Sequence, residues 1–174
     1  MADAYLQLQL ADRRRFDPLG YPALAIADLP DEVYRHLLNE VARWRLRDIS
    51  RDMRFAADLG QSVRRAWEGR GSLISLDDSS RLFYERVIAS HPLSDEANQA
   101  VARQDWLAFI ALASAAQGCS YPMMVTRLLT ANFDALAAWL ASPDALGLRG
   151  DSLAALEACL ADVRGAAALG EARE

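Results

Sequence analysis

The sequence predicts an all-α fold, either a compact bundle or a short array of about seven helices arranged in helical hairpins. Apolar residues recur at steps of three and four through most of the chain, which is the spacing of one helix face. Gly and Pro residues interrupt this pattern at short intervals, which indicates tight links between short helices. With 52% hydrophobic residues, the chain can build a buried core.

The first part of the chain predicts an N-terminal arm and linker over residues 1–22. Residues 1–18 form either a short helix or an extended arm, because the LQLQL segment alternates with the period of a strand. Residues 23–170 are predicted to form a single helical domain, with a sub-boundary near residues 69–74 as the alternative. Residues 171–174 are predicted to be a tail.

The first long apolar pattern begins after Asp28 and Pro30, which are typical of a helix start. Four apolar residues then share one helix face: Val33, Leu37, Val41 and Trp44. Beyond Trp44 the pattern slips by one residue, which predicts a break near Arg47 to Ser50. We therefore expect two helices, over residues 30–47 and 49–68.

Capping residues divide the middle of the chain. Ser75 and Asp78 resemble a capping box at the start of a helix that Pro92 ends. Ser94 is predicted to cap the next helix, since its side-chain oxygen can accept a free N–H of the first turn. Asp105 is predicted to cap the helix after that.

The last helices are marked in the same way. Gly118 is expected to end a helix in the left-handed conformation, and Ser120 to begin the next one. Thr130 or Asn132 begins another helix, and Asp151 is predicted to cap the last.

The two central helices hold the residues that we expect to bind a partner. They are Trp106, Phe109, Tyr121, Met124 and Arg127. Each of the four tryptophans of the chain lies on or beside an apolar stripe, so core packing is the favoured interpretation and a partner groove or a planar ligand is the alternative. A helical array that exposes one such stripe would bind a peptide or a protein.

The same region has the order of a DNA-binding helix-turn-helix, with a helix, a turn that contains glycine and a second helix. Its second helix offers one cation, Arg127, and the surrounding stretch is net acidic. Because phosphate contacts supply most non-specific DNA affinity, a nucleic-acid partner is not expected, and a DNA-binding regulator is kept only as an alternative.

Composition excludes several other classes of protein. The net charge is −5, all 19 cations are arginine, and the arginine and alanine usage indicates a high-GC coding bias. There is no run of roughly 18 uncharged apolar residues, so no membrane partner is expected. The start of the chain lacks the pattern of a secretion signal. Cys119 and Cys159 are therefore predicted to be reduced, buried thiols in a cytoplasmic protein, with a structural disulfide between them as the alternative.

Residues for chemistry are sparse. Glu32, His36 and Glu40 lie four residues apart on one helix stripe and could ligate a metal, but the same stripe is also an ordinary charged face, which is favoured. His91 precedes a proline in a turn. No nucleophile, acid–base or phosphate-binding motif is visible, so we predict no catalytic residues, no metal and no cofactor.

Two segments, ADLPDEVYRHLLNEVARWRLR and ARQDWLAFIALASAAQGCSYPMMVTRLL, resemble a bacterial family of unknown function built of HEAT-like helical repeats. This resemblance implies a helical interaction protein without known catalytic residues. The stretch from SLDDSSRLFYERVIAS to DWLAFIALASAAQG is similar to the small nitrogen-fixation and nitrile-hydratase-leader-like domain, although the chain has no double-glycine cleavage site. The same stretch is similar to the small helical subunit of ring-opening dioxygenases, which implies an enzyme accessory subunit.

These observations predict a non-catalytic interaction or accessory protein that binds a partner protein through a helical apolar face. Whether the chain also forms a homo-oligomer is left open. The alternatives are a small non-catalytic subunit of an enzyme complex and a helix-turn-helix DNA-binding regulator.

Overall fold

The computed structural model describes residues 1–48 and 53–171, and this part of the chain is α-helical without a β-strand. The predicted all-α fold is therefore confirmed. The described residues form nine α-helices: α1 (Ala2–Arg13), α2 (Asp31–Asp48), α3 (Met53–Arg70), α4 (Leu76–Ile88), α5 (Leu93–Ala102), α6 (Trp106–Gln117), α7 (Tyr121–Thr130), α8 (Phe133–Ala141) and α9 (Gly150–Glu171). A short 3-10 helix, Ile26–Asp28, precedes α2.

α1 decides between the short helix and the extended arm that were predicted for the N-terminal residues. Residues 2–13 are helical rather than extended. Ala4, Leu8 and Ala11 are buried, and their steps of four and three place them on one helix face. The helical pattern of these three residues therefore overrides the strand-like alternation of the LQLQL segment.

Contacts along the chain divide it into two compact units. The first consists of Met1–Leu10 and Asp77–Glu174, and the second of Ala11–Leu76. The prediction of one domain over residues 23–170, with a sub-boundary near 69–74, stays a prediction.

The first unit is a bundle whose last helix returns to earlier ones. α9 packs against α5, α7 and α8, and α6 packs against α5 and α7. In a repeat array each helix pair would contact only its neighbours in sequence, so the contact between α5 and α9 identifies a bundle within this unit. Its fully buried side chains include Phe109, Leu112, Met124, Leu140, Leu146 and Leu156.

The second unit is centred on the pairing of α2 with α3. Tyr34 of α2 is buried and stacks on Trp67 of α3, with ring centroids 5.9 Å apart and an interplanar angle of 20°. Arg70 lies over the Tyr34 ring, donates to the Leu29 carbonyl and pairs with Asp31. The start of α2 is thereby tied to the end of α3. Of the predicted break near Arg47 to Ser50, residues 49 and 50 lie outside the described part.

Most of the predicted caps in the first unit are confirmed. Asp105 accepts the Ala108 N–H at the start of α6, and Gly118 ends α6 in the left-handed conformation with φ +63°. Ser120 and Asn132 accept N–H groups in the first turns of α7 and α8. Asn132, rather than Thr130, is therefore the residue that caps α8.

Two predicted caps are wrong. α5 begins at Leu93 with Pro92 as its N-cap, so Ser94 lies inside the first turn. The Pro92 carbonyl accepts the N–H groups of Asp95 and Glu96, so the turn closes without a side-chain cap. α9 begins at Gly150, which places Asp151 inside the helix rather than at its cap.

Within the described residues, no single helix is long and apolar enough to cross a membrane. In the same part of the chain, α6 and α7 taken together have the length and composition of a span, but the chain bends by 102° between them.

Candidate functional site

The predicted metal candidates do not converge. Glu32, His36 and Glu40 are all exposed on α2, and Glu40 pairs instead with Arg43 at 2.6 Å. Among residues 1–48 and 53–171, no group of three or more His, Cys, Asp or Glu side chains is arranged to hold a metal ion. The three side chains therefore belong to a charged helix face with an i,i+3 ion pair.

The pairing of Tyr5 with Asp105 was not foreseen. The Tyr5 hydroxyl donates to Asp105 Oδ2 at 2.5 Å, while Oδ1 of the same carboxylate caps α6. Burial, and then the hydrogen bond to this carboxylate, raise the pKa of Tyr5. Both oxygens of Asp105 thus have a structural role, because one holds α1 and the other holds the start of α6.

Neither cysteine has the surroundings of a catalytic nucleophile. Cys119 and Cys159 are both free and half-buried. Burial raises the pKa of the Cys119 thiol and outweighs the opposing charge of Arg127, so less of the reactive thiolate forms at neutral pH. Cys159 lies in the wall of an apolar groove.

That groove lies between α6, α7 and α9. We name it the α6–α7–α9 groove. Four buried side chains line its floor: Phe109, Leu128, Leu156 and Leu160. Six side chains that are half-buried or exposed line its walls and rim: Trp106, Ile110, Val125, Leu129, Cys159 and Val163.

The size and chemistry of the groove limit what it can bind. Its volume is about 140 Å³, and no polar atom contributes surface to it. Pockets for cofactors and drug-sized ligands usually enclose about 300–1,000 Å³ and contain a few polar groups that orient the ligand. An apolar cavity of about 150 Å³ accommodates a benzene ring. The α6–α7–α9 groove therefore fits one large apolar side chain.

Polar contacts fix the helices that form the groove. Arg164 of α9 donates to the carbonyls of Leu128 and Ala131 at 2.7 and 3.0 Å, where α7 ends. These carbonyls have no partner within the helix, so the guanidinium both satisfies them and complements the helix dipole. The side chain of Asn98 ties α5 to the backbone at the start of α9 through Arg149 and Ser152.

The five predicted partner-binding residues have different surroundings. Trp106 is half-buried in the wall of the groove, and Phe109 is completely buried in its floor. Tyr121 and Met124 are buried in the core, and Arg127 is exposed. The apolar residues of α7 thus lie on two surfaces. Val125 and Leu129 border the groove, whereas Tyr121 and Met124 are buried in the bundle.

A second apolar surface lies on α2. The side chains of Val33, Leu37, Val41 and Trp44 are between 41% and 57% exposed. We name these four residues the α2 stripe. α3 covers the adjacent face of α2, where Tyr34 is buried. Exposed apolar residues that recur on successive turns differ from the scattered ones found on any protein surface, and they indicate an interaction surface.

Comparisons of the chain with models of protein families, with curated proteins and with solved structures found no match. The resemblances to a HEAT-like family and to a leader-like domain therefore stay expectations.

Proposed function

We propose that the chain is a non-catalytic interaction protein whose α6–α7–α9 groove accepts one large apolar side chain from an amphipathic helix of a partner protein. The observation that carries this proposal is the wholly apolar lining of an open groove. A soluble protein usually covers such a surface, and transfer of apolar area out of water drives association.

A protein partner suits the groove better than a free small molecule does. The groove offers no hydrogen bond that would orient a ligand, and its volume of about 140 Å³ matches a side chain. A side chain presented by a helix is already oriented by its backbone. Because Leu129 and Val163 leave part of their surface exposed at the rim, the neighbouring turns of the partner helix have an apolar surface to pack on.

A cross-linking experiment tests this proposal. A photoreactive amino acid replaces Leu129 or Val163 in the full chain, which is expressed in its native cells, and the adducts are mapped by mass spectrometry. Glu157, which is exposed on α9 and does not line the groove, is the matched control position. Both rim positions should capture the same partner segment, with large apolar residues at helical spacing.

Filling the groove provides the second arm of the experiment. Cys159→Leu adds a bulky side chain to the wall, whereas Ala161→Leu adds one on the exposed face of the same helix. We expect the first substitution to abolish the adducts and the second to preserve them. Adducts that form equally well at Glu157, or that survive Cys159→Leu, would contradict the proposal.

A helix-turn-helix regulator is the second candidate, because one observation favours it. The bend of 102° between α6 and α7, across a short turn with Gly118, matches the usual crossing of about 90–120° in this motif. The charge is unfavourable, since Arg127 is the only cation of α7. This candidate predicts salt-sensitive retention on duplex DNA that Arg127→Ala abolishes. Retention that is unchanged in the variant, or absent at low salt, would exclude it.

A further inference from the structure

The structure points to a second interaction surface, and we propose that two copies of this chain associate through their α2 stripes, with the two α2 helices antiparallel. This contact is separate from the α6–α7–α9 groove. The groove receives a single side chain, whereas the α2 stripe runs along a helix of 18 residues, about 27 Å long.

The apolar arc of α2 is wider than α3 can cover. Tyr34, with Leu38 and Ala42 on later turns, lies on the side of α2 that packs on α3. The α2 stripe lies roughly 100° further round the helix and carries four large apolar side chains in steps of four, four and three. This spacing forms a straight seam, which another helix with the same spacing can cover.

The α2 stripe complements itself when the second copy runs antiparallel. Pairing about the midpoint between Leu37 and Val41 places these two residues opposite each other across the interface. The same pairing brings Val33 of one copy within one residue of the position opposite Trp44 of the other. A small side chain thus meets the largest one at both ends of the seam, as alternating large and small residues do in packed cores. A two-fold interface requires such self-complementarity.

The charges along α2 favour the same direction. Residues 31–40 contain three acidic residues and one arginine, for a net charge of −2. Residues 41–48 contain three arginines and one aspartate, for a net charge of +2. Antiparallel pairing sets the acidic half of each helix against the basic half of the other, with Glu32 near Arg47 of the second copy. Parallel pairing would set like charges against each other.

Sedimentation velocity of the purified full chain over a concentration series tests the association. A seam of four side chains is a small interface, so we expect a reversible dimer with a dissociation constant on the order of 10 μM. Val41→Lys places a charge in the centre of the seam and should raise that constant at least tenfold. Asn39→Lys adds the same charge on an exposed position of the opposite face and should leave it unchanged.

A charge exchange distinguishes this arrangement from other dimers. Glu32→Arg or Arg47→Glu alone sets like charges against each other and should weaken the dimer, while the double variant should restore it. Circular dichroism checks that each variant keeps its helices. A chain that stays monomeric throughout the series would overturn the inference, as would a double variant weaker than both single ones. Dimerisation of Cys159→Leu, in which the groove is filled, should match that of the unmodified chain, so this contact and the groove can fail separately.

Discussion

Asn98 joins α5 to the start of α9, and its replacement tests whether this joint stabilises the bundle that carries the groove. Its side-chain N–H groups donate to the Ser94 and Gly147 carbonyls at 2.6 and 3.2 Å. Its Oδ1 accepts the Arg149 N–H at 2.9 Å and the Ser152 hydroxyl at 2.6 Å. The side chain is 8% exposed and uses its donors and acceptor fully.

The energetic cost follows from the groups that lose a partner. Asn98→Ala leaves the buried Ser152 hydroxyl and the Gly147 carbonyl without this hydrogen bond, at about 1–3 kcal/mol for each group that stays unsatisfied. Because the loop can relax toward water, we expect a total loss of about 3 kcal/mol in the free energy of unfolding. A domain of ordinary stability, about 5–15 kcal/mol, would still fold.

Asn98→Asp adds a dependence on pH. The new carboxylate would be buried and would face the carbonyl oxygens of Ser94 and Gly147 in place of two donors. We expect these two effects to outweigh the Arg149 N–H and Ser152 hydroxyl that donate to its other oxygen, so its pKa in the folded chain should lie above its value in the unfolded chain. At pH values between these two pKa values, the folded state binds more protons than the unfolded state. The free energy of unfolding of the variant therefore falls as pH rises through the pKa of the folded state. The difference in stability between the variant and the unmodified chain becomes smaller as pH falls.

Urea unfolding at neutral and mildly acidic pH measures both effects. Gln99→Ala, on the exposed side of the same helix, is the control and should change stability by less than about 0.5 kcal/mol. The reasoning would be refuted if Asn98→Ala matched this control, or if the deficit of Asn98→Asp were the same at both pH values.

Three further predictions concern other single positions. Arg164→Met should remove the cap on the last carbonyls of α7 and lower the free energy of unfolding by about 1–3 kcal/mol, with faster amide exchange in α7; unchanged exchange would contradict the cap. Cys159→Ser leaves Cys119 as the thiol to be alkylated by iodoacetamide. Because burial raises the pKa of Cys119, its alkylation should reach half the maximal rate at a higher pH than that of an unperturbed thiol. A midpoint at or below the pH found for an unperturbed thiol would be inconsistent with this burial. Gly60→Ala should stabilise α3 by about 0.5–1 kcal/mol in thermal unfolding, since the added methyl group meets no atom within 4 Å; a lower melting temperature would show that the site is not open.

The helices and most of their ends could be predicted because these features are local. Asp105, Gly118 and Ser120 each act on N–H or C=O groups within a few residues, and the structure confirms all three. The prediction of Ser94 as a cap follows the same rule and is wrong, because the N-cap is Pro92, two residues earlier, and its carbonyl accepts the first N–H groups of the helix. Local chemistry identifies a helix start within one or two residues, and neighbouring candidates compete for it.

Burial was harder to predict than helix position. Apolar residues recur at steps of three and four both on α2, at Val33, Leu37, Val41 and Trp44, and on α7, at Tyr121, Met124 and Leu128. The structure buries the α7 residues, whereas it exposes the α2 stripe. Periodicity shows that a helix has an apolar face, but the element that covers the face depends on long-range packing.

The groove and the hydrogen bonds of the Asn98 side chain depend on contacts between distant parts of the chain. Asn98 bonds to residues 49 to 54 positions away, and a single asparagine in a helix gives no local sign of this. Cys159 lies between Leu156 and Leu160 on the apolar stripe of α9, so its place in an apolar surface was visible in the sequence. That it lines the same groove as Val125 and Trp106 could be seen only in the structure.

The affinity of the captured partner segment tests the groove most directly. The segment recovered by cross-linking would be synthesised as a peptide and titrated calorimetrically into the unmodified chain, Cys159→Leu and Ala161→Leu. We predict that Cys159→Leu weakens binding at least tenfold, which corresponds to about 1.4 kcal/mol, while Ala161→Leu binds like the unmodified chain. Equal affinities for all three proteins would mean that the groove does not hold the partner.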